Sequence, residues 1–121
     1  MAKDKCLCEP TEILIFPCSG GSNVGQIANE AAKELTTKGH GKMYCLAGIG
    51  GHISGIIEST KAAKKIIAID GCSVACSRKT LEHAGFSVDK HVVVTELGIK
   101  KESGFAIDTE QIKKVVRKIK R

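Results

Sequence analysis

Short apolar runs alternate with longer helix-forming stretches along the whole chain. EILIFPC (12–18) reads as a short buried strand that ends near Pro17. SNVGQIANEAAKEL (22–35) reads as a helix, with Asn23 and Gln26 as its expected capping box and Gly39 as its stop. GKMYCLAG (41–48) is the second expected strand, and SGIIESTKAAKK (54–65) the second helix, capped by Ser54. IIAID (66–70) is continuously apolar, as a parallel strand covered on both faces would be. SVACSRKTLEHAG (73–85) follows as a helix capped by Ser73 and stopped at Gly85. KHVVVTEL (90–97) is the last strand, and TEQIKKVVRKIKR (109–121) the last helix, with Asp108 at its N-cap and Gln111 completing the box.

This pattern is βα repeated four times, which predicts a parallel sheet with helices on both faces. With right-handed crossovers, the expected fold is a small Rossmann/flavodoxin-like three-layer α/β domain. Its four-stranded sheet takes the order 2-1-3-4. Residues 12–121 form this single domain, and residues 1–11 form an N-terminal tail carrying Cys6 and Cys8 as Cys-x-Cys. A chain of 121 residues has room for one such domain and not for two ordinary ones.

Composition narrows the function classes. Hydrophobic residues make up 42% and aromatic residues 3%, so the core is built from Ile, Val, Leu and Ala. No apolar stretch approaches the roughly 20 residues that cross a bilayer. MAKDKCLCEP lacks an apolar signal-peptide core, so the expectation is a soluble cytoplasmic protein without a membrane span. The net charge is +6, and six of the positive charges fall in the final KKVVRKIKR. No aromatic residue is interleaved with them, so they read as a solvated helix face, and nucleic acid is not an expected partner.

The cysteines carry the chemistry. Cys18, Cys45 and Cys72 are spaced by 27 and again 27 residues, one βα unit each time. Each therefore falls at or near the end of a strand, at the same edge of the sheet. In the order 2-1-3 those strands are neighbours, about 4.8 Å apart. Thiolates on tetrahedral zinc lie roughly 3.8 Å apart, so small side-chain tilts close the gap. Cys76 sits in the first turn of the following helix and can point back over the strand ends. Cys18, Cys45, Cys72 and Cys76 are thus the expected ligands of a four-cysteine zinc site at the C-terminal edge. Helix dipoles and the Gly-rich stretches CSGGSNVG and CLAGIGGHISG would offset its negative charge.

Other readings of the same residues stay open. The four cysteines also suit an Fe–S cluster or thiol redox chemistry, or simple burial. Disulfides are disfavoured because nothing indicates secretion. CSVACSR is also Cys-x5-Arg between a strand and a helix, as in cysteine phosphatases and arsenate reductases. There Cys72 would attack an oxyanion clamped by Arg78, but no glycine lies between them, and Arg78 is expected on a helix surface. His40, His83 and His91 are expected to be exposed. His52 follows Cys45 on the same edge, either as an exposed loop residue or as a ligand or proton relay. Asp70 is assigned to holding the turn or a loop amide rather than to a metal. Cys6 and Cys8 form either a frayed tail or a thiol pair that hands over a soft metal.

PCSG around Cys18, YCLAGIGG around Cys45, and the Asp70-Gly71-Cys72 triplet with Cys76 resemble the DGC-domain family. TELGIKK fits its later segment, and the resemblance runs from about Glu12 to the final helix. That family is named for its central Asp-Gly-Cys motif and is considered zinc-binding on account of four chelating cysteines. The resemblance implies the same four ligands that the spacing gives, and it implies no reaction. A metal ion is the expected partner. Storage, trafficking or sensing of metal follows more readily than catalysis, because four thiolates leave zinc no open position. A protein partner stays open.

Overall fold

The computed structural model describes residues 12–120. Its element order is β1 (Ile13–Pro17), α1 (Asn23–Thr37), β2 (Lys42–Met43), α2 (Leu46–Gly50), α3 (Ser54–Lys61), β3 (Lys65–Asp70), α4 (Cys76–His83), β4 (Lys90–Val93), a 3-10 turn (Val94–Leu97) and α5 (Thr109–Lys120). The sheet is parallel throughout, in the order β2-β1-β3-β4. The fold expected from the βα repeat is therefore the fold observed.

Alternation along the two central strands divides the core. Ile15 of β1 and Ile67 and Ile69 of β3 face α1 and α5, where they pack with Val24, Ile27, Leu35 and Val115. Leu14, Phe16, Ile66 and Ala68 face the other way, onto Ile49 of α2 and Leu81 of α4, with Ile56 and Ile57 of α3 alongside. The layers follow from topology. The chain steps from β1 to β2 in one direction, then turns back past β1 to β3. Crossovers of one handedness must then lie on opposite faces of the sheet. The point where direction reverses lies between β1 and β3, whose ends form the crevice that open α/β sheets use for ligands.

Local signals set most element ends. Asp108 and Gln111 bond each other's backbone reciprocally at 3.0 Å, the expected capping box of α5. Gly39 and Gly85 adopt φ of +81° and +94° just past α1 and α4, as helix stops do. The basic residues of the last turn of α5 (Arg117, Lys118, Lys120) are exposed, while Val115, Val116 and Ile119 are buried.

Five local expectations are corrected. The cap of α1 is Ser22, whose hydroxyl accepts from the Gly25 amide at 3.2 Å, because Asn23 is engaged elsewhere. The second strand stops at Met43, and Leu46–Gly50 turns into a short helix. Leu46 and Ile49 are three residues apart and pack against the same face, which suits a helical turn better than a strand. The Cys45 carbonyl starts that turn by accepting from the Gly48 amide at 3.1 Å. The N-cap of α3 is Ile53, and Ser54 is already helical. Ser73 does not cap α4; Ala75 is its N-cap, in the left-handed region at φ +57°. The last strand ends at Val93, and Val94–Leu97 form the 3-10 turn.

Candidate functional site

The loop after β1 presents the first cysteine. The Cys18 amide donates to the Ile69 carbonyl at 2.9 Å, which continues the β1–β3 ladder to the sheet edge. Its Sγ accepts from the Gly71 amide at 3.3 Å. Burial pushes the Cys18 thiol pKa up. Bonds from the Gly20 and Gly71 backbones oppose that shift, while the nearby Asp70 and Cys76 add to it.

Two glycines make this approach possible. A Cβ at Gly25 would stand 2.5 Å from the Gly20 carbonyl oxygen, and one at Gly71 would stand 2.8 Å from the Gly25 amide nitrogen. Backbone therefore lies directly on backbone between the start of α1 and the turn after β3. Any side chain there would push apart the loops that carry Cys18 and Cys72.

The turn after β3 presents the other two. Asp70 ends the strand, is 1% exposed, and reaches forward to the first turn of α4. Its carboxylate accepts from the Ser77 amide at 2.6 Å and the Arg78 amide at 3.1 Å. It thus caps α4 from a distance, and Gly71–Val74 can arch outward with Cys72 on the arch. The Ser77 hydroxyl donates to the Phe16 carbonyl at 2.7 Å and ties α4 to β1. Cys76 opens α4 and is exposed. His91 Nε2 lies 2.8 Å from the same Asp70 carboxylate. His91 is thus largely covered and structurally engaged, contrary to the exposed position expected for it.

A third segment, unforeseen from the pattern, completes the site. Residues 98–108 cross the start of α1 as a strap. Buried Asn23 holds it by donating from Nδ2 to the Lys100 carbonyl (2.8 Å) and accepting at Oδ1 from the Glu102 amide (2.6 Å). Between those two bonds lies Lys101, whose Nζ donates to Cys72 Sγ at 3.5 Å. Sequence reasoning missed both Asn23 and Lys101 as functional residues. The second lies inside TELGIKK, a segment of the family resemblance to which the pattern attaches no role.

Together these segments enclose a cleft of about 320 Å³. Cys18, Cys72, Cys76 and Lys101 line it, with Val24, Val74 and the glycines of the two loops. It sits at the β1/β3 switch point. Cys45 does not line it. Exposed Cys45 lines a neighbouring hollow of about 550 Å³ with Tyr44, Leu46 and Thr80, and Cys18 forms the wall between the two. Of the three cysteines in register, Cys18 and Cys72 line this cleft together with Cys76, and Cys45 lines the neighbouring hollow.

The donor set has the soft sulfur chemistry that zinc selects, and all four thiols are free. As the side chains stand, no three ligating groups among the described residues are grouped closely enough to hold an ion. The residues fit the metal in kind, while their spacing calls for the thiols to draw together. Arg78 reaches Glu82 at 3.7 Å, and its amide, like that of Ser77, is filled by Asp70. Two amides of the Cys-x5-Arg turn are therefore taken by Asp70 rather than left for an oxyanion. His52 is exposed, with φ +55°, and its ring lies 6.0 Å from that of His83. Cys6 and Cys8 lie outside the described residues.

A doubly wound α/β domain with cysteines gathered at its switch point is the class these features define. The chain belongs to the DGC domain family, which it matches over residues 14–119. It is also similar to the anaerobic and virulence modulator AnvM of Pseudomonas aeruginosa, at 30% identity over 108 residues. That alignment covers 89% of this chain and 82% of the relative. No solved structure matches the chain. Among the described residues, no helix is long and apolar enough to cross a membrane.

Proposed function

We propose that this domain binds one zinc ion at the C-terminal edge of its sheet. Cys18, Cys72 and Cys76 supply the first thiolates and Cys45 the fourth. The observation that carries this reading is the shared cleft at the β1/β3 switch point, which three thiols line together with Lys101 and the glycines of two loops. Bound zinc would supply a fixed positive charge that holds the thiolates together. The chain's own contributions are separable. Gly71 donates to the Cys18 sulfur, and Asp70 holds the arch that carries Cys72. Cys45, at the N-cap of a five-residue helix, is the ligand that comes from the neighbouring hollow rather than from the cleft itself.

A site that closes around its ion suits sensing, storage or transfer of metal better than catalysis. A regulatory use accords with the name of the Pseudomonas relative. The domain has its own apolar core on both faces of the sheet, so the metal is not needed as a staple.

Elemental analysis of protein purified without oxygen tests the proposal. One zinc per chain is expected, and Co(II) in its place should give the strong near-ultraviolet thiolate bands of a sulfur-rich tetrahedral site. Less than about a tenth of an equivalent after reloading would sink the reading. Visible absorption with bound iron would replace zinc by an Fe–S cluster on the same cysteines. Chelation should loosen amides near 18–25 and 71–77 and leave β1 and β3 protected from exchange.

A further inference from the structure

We infer that Lys101 is a positioning residue for the thiol cleft. Its charge, held over Cys72 by the Asn23 clamp, makes the local potential positive and draws anionic ligands there. The inference deepens the metal reading and rests on it for one of the two measurements below.

Three observations lead to it. The Lys101 ammonium donates to Cys72 Sγ at 3.5 Å, although the residue is exposed and has solvent available on other sides. The strap that carries it is anchored on both sides of Lys101. Asn23 bonds the Lys100 carbonyl and the Glu102 amide, and the Asn23 amide adds a bond to the Glu102 carbonyl at 3.3 Å. Asn23 is 3% exposed, in the first turn of α1, where the ordinary capping duty falls to its neighbour Ser22. A buried amide side chain that spends both its donor and its acceptor on residues 77 and 79 positions away fixes a distant segment. Finally, Lys101 is among the residues lining the cleft that also holds Cys18 and Cys76.

Gathering thiolates at one point builds up negative charge, which a cation alongside offsets. A lysine does this as a point charge on a flexible stem, so it can follow Cys72 as the thiols draw together. Cys45 lines the other hollow, which Lys101 does not line, and serves as the internal comparison.

Two measurements on the full chain test the inference, with Lys101→Met, Lys101→Arg, Asn23→Ala and Lys100→Met as variants. The first is zinc affinity by chelator competition. Lys101→Met should weaken it roughly fivefold, the size of one solvent-screened charge pair, and Lys101→Arg should restore most of it. Asn23→Ala should reproduce part of the loss by freeing the strap, and Lys100→Met should have no effect. The second needs no metal. In the metal-free protein, the rate of alkylation at Cys72 by anionic iodoacetate is divided by the rate with neutral iodoacetamide, both read by peptide mass spectrometry. The ratio cancels differences in thiol reactivity and reports local potential. It should fall about threefold or more in Lys101→Met, recover in Lys101→Arg, and stay unchanged at Cys45. An unchanged Cys72 ratio in Lys101→Met overturns the inference, whatever the metal does. If the wild type binds no zinc but the ratio falls as expected, the metal reading fails and the role of Lys101 stands.

Discussion

Two turns at the same edge of the sheet begin alike and end differently. β2 and β3 both lead into a cysteine, Cys45 and Cys72, one βα unit apart. After β3, the strand runs six residues, Asp70 is buried, and the turn lies backbone-to-backbone on α1 through Gly71 and Gly25. After β2, the strand is two residues at the sheet margin, and Cys45 precedes α2 with no side-chain cap bond. The first turn delivers its thiol into a cleft and the second leaves it exposed. Register along the sequence brings side chains to one edge. Convergence on one point needs neighbouring backbones held against each other as well.

The largest expected effect concerns metal. Cys72→Ser should lower zinc affinity by more than the roughly 100-fold that loss of an outer partner costs, while Cys45→Ser should cost clearly less. Chelator competition checks the order, and equal losses would erase the distinction between the two turns.

Stability should separate the turns next. Asp70→Ala leaves two amides and the His91 ring without their partner, so about 2–3 kcal/mol should be lost in urea unfolding. Cys45→Ala removes no cap bond and should stay within about 0.5 kcal/mol.

Glycine substitutions sharpen the same contrast. Gly71→Ala forces a Cβ to within 2.8 Å of the Gly25 nitrogen and should cost roughly 2 kcal/mol. At Gly50 the new Cβ would meet only the Thr80 methyl at 3.7 Å, so Gly50→Ala should change stability by about 0.5 kcal/mol or less. A Gly71→Ala protein as stable as the wild type would mean that the two loops are not pressed together.

The smallest effect is kinetic. In the metal-free protein near neutral pH, Cys18 should alkylate several-fold more slowly than Cys45. Burial covers its sulfur and raises its pKa, while Cys45 is exposed. Competitive labelling read by peptide mass spectrometry ranks the two.

Much of this molecule is legible in its residues, where the signals are local. The Asp108–Gln111 box acts across three residues and forms as expected. The glycine stops at Gly39 and Gly85 depend on backbone conformation at single positions. The apolar runs of β1 and β3 mark the two strands at the sheet's centre. Asn23 shows where this stops: its side chain suits a local cap, yet its partners are Lys100 and Glu102. His91 reads as a strand-end surface residue, and only the fold sets Asp70 beside it.

The βα period therefore determined the parallel sheet, the strand order it favours, and the edge at which Cys18, Cys45 and Cys72 emerge. Periodicity and capping act within a few residues, so a linear pattern contains them. Only the tertiary structure decided that Cys18, Cys72 and Cys76 share a cleft, that Cys45 stands behind a wall, and that Lys101 reaches a sulfur. Those facts depend on how far each strand runs, which backbones touch, and where a distant strap is tied. Contacts between segments tens of residues apart set all three.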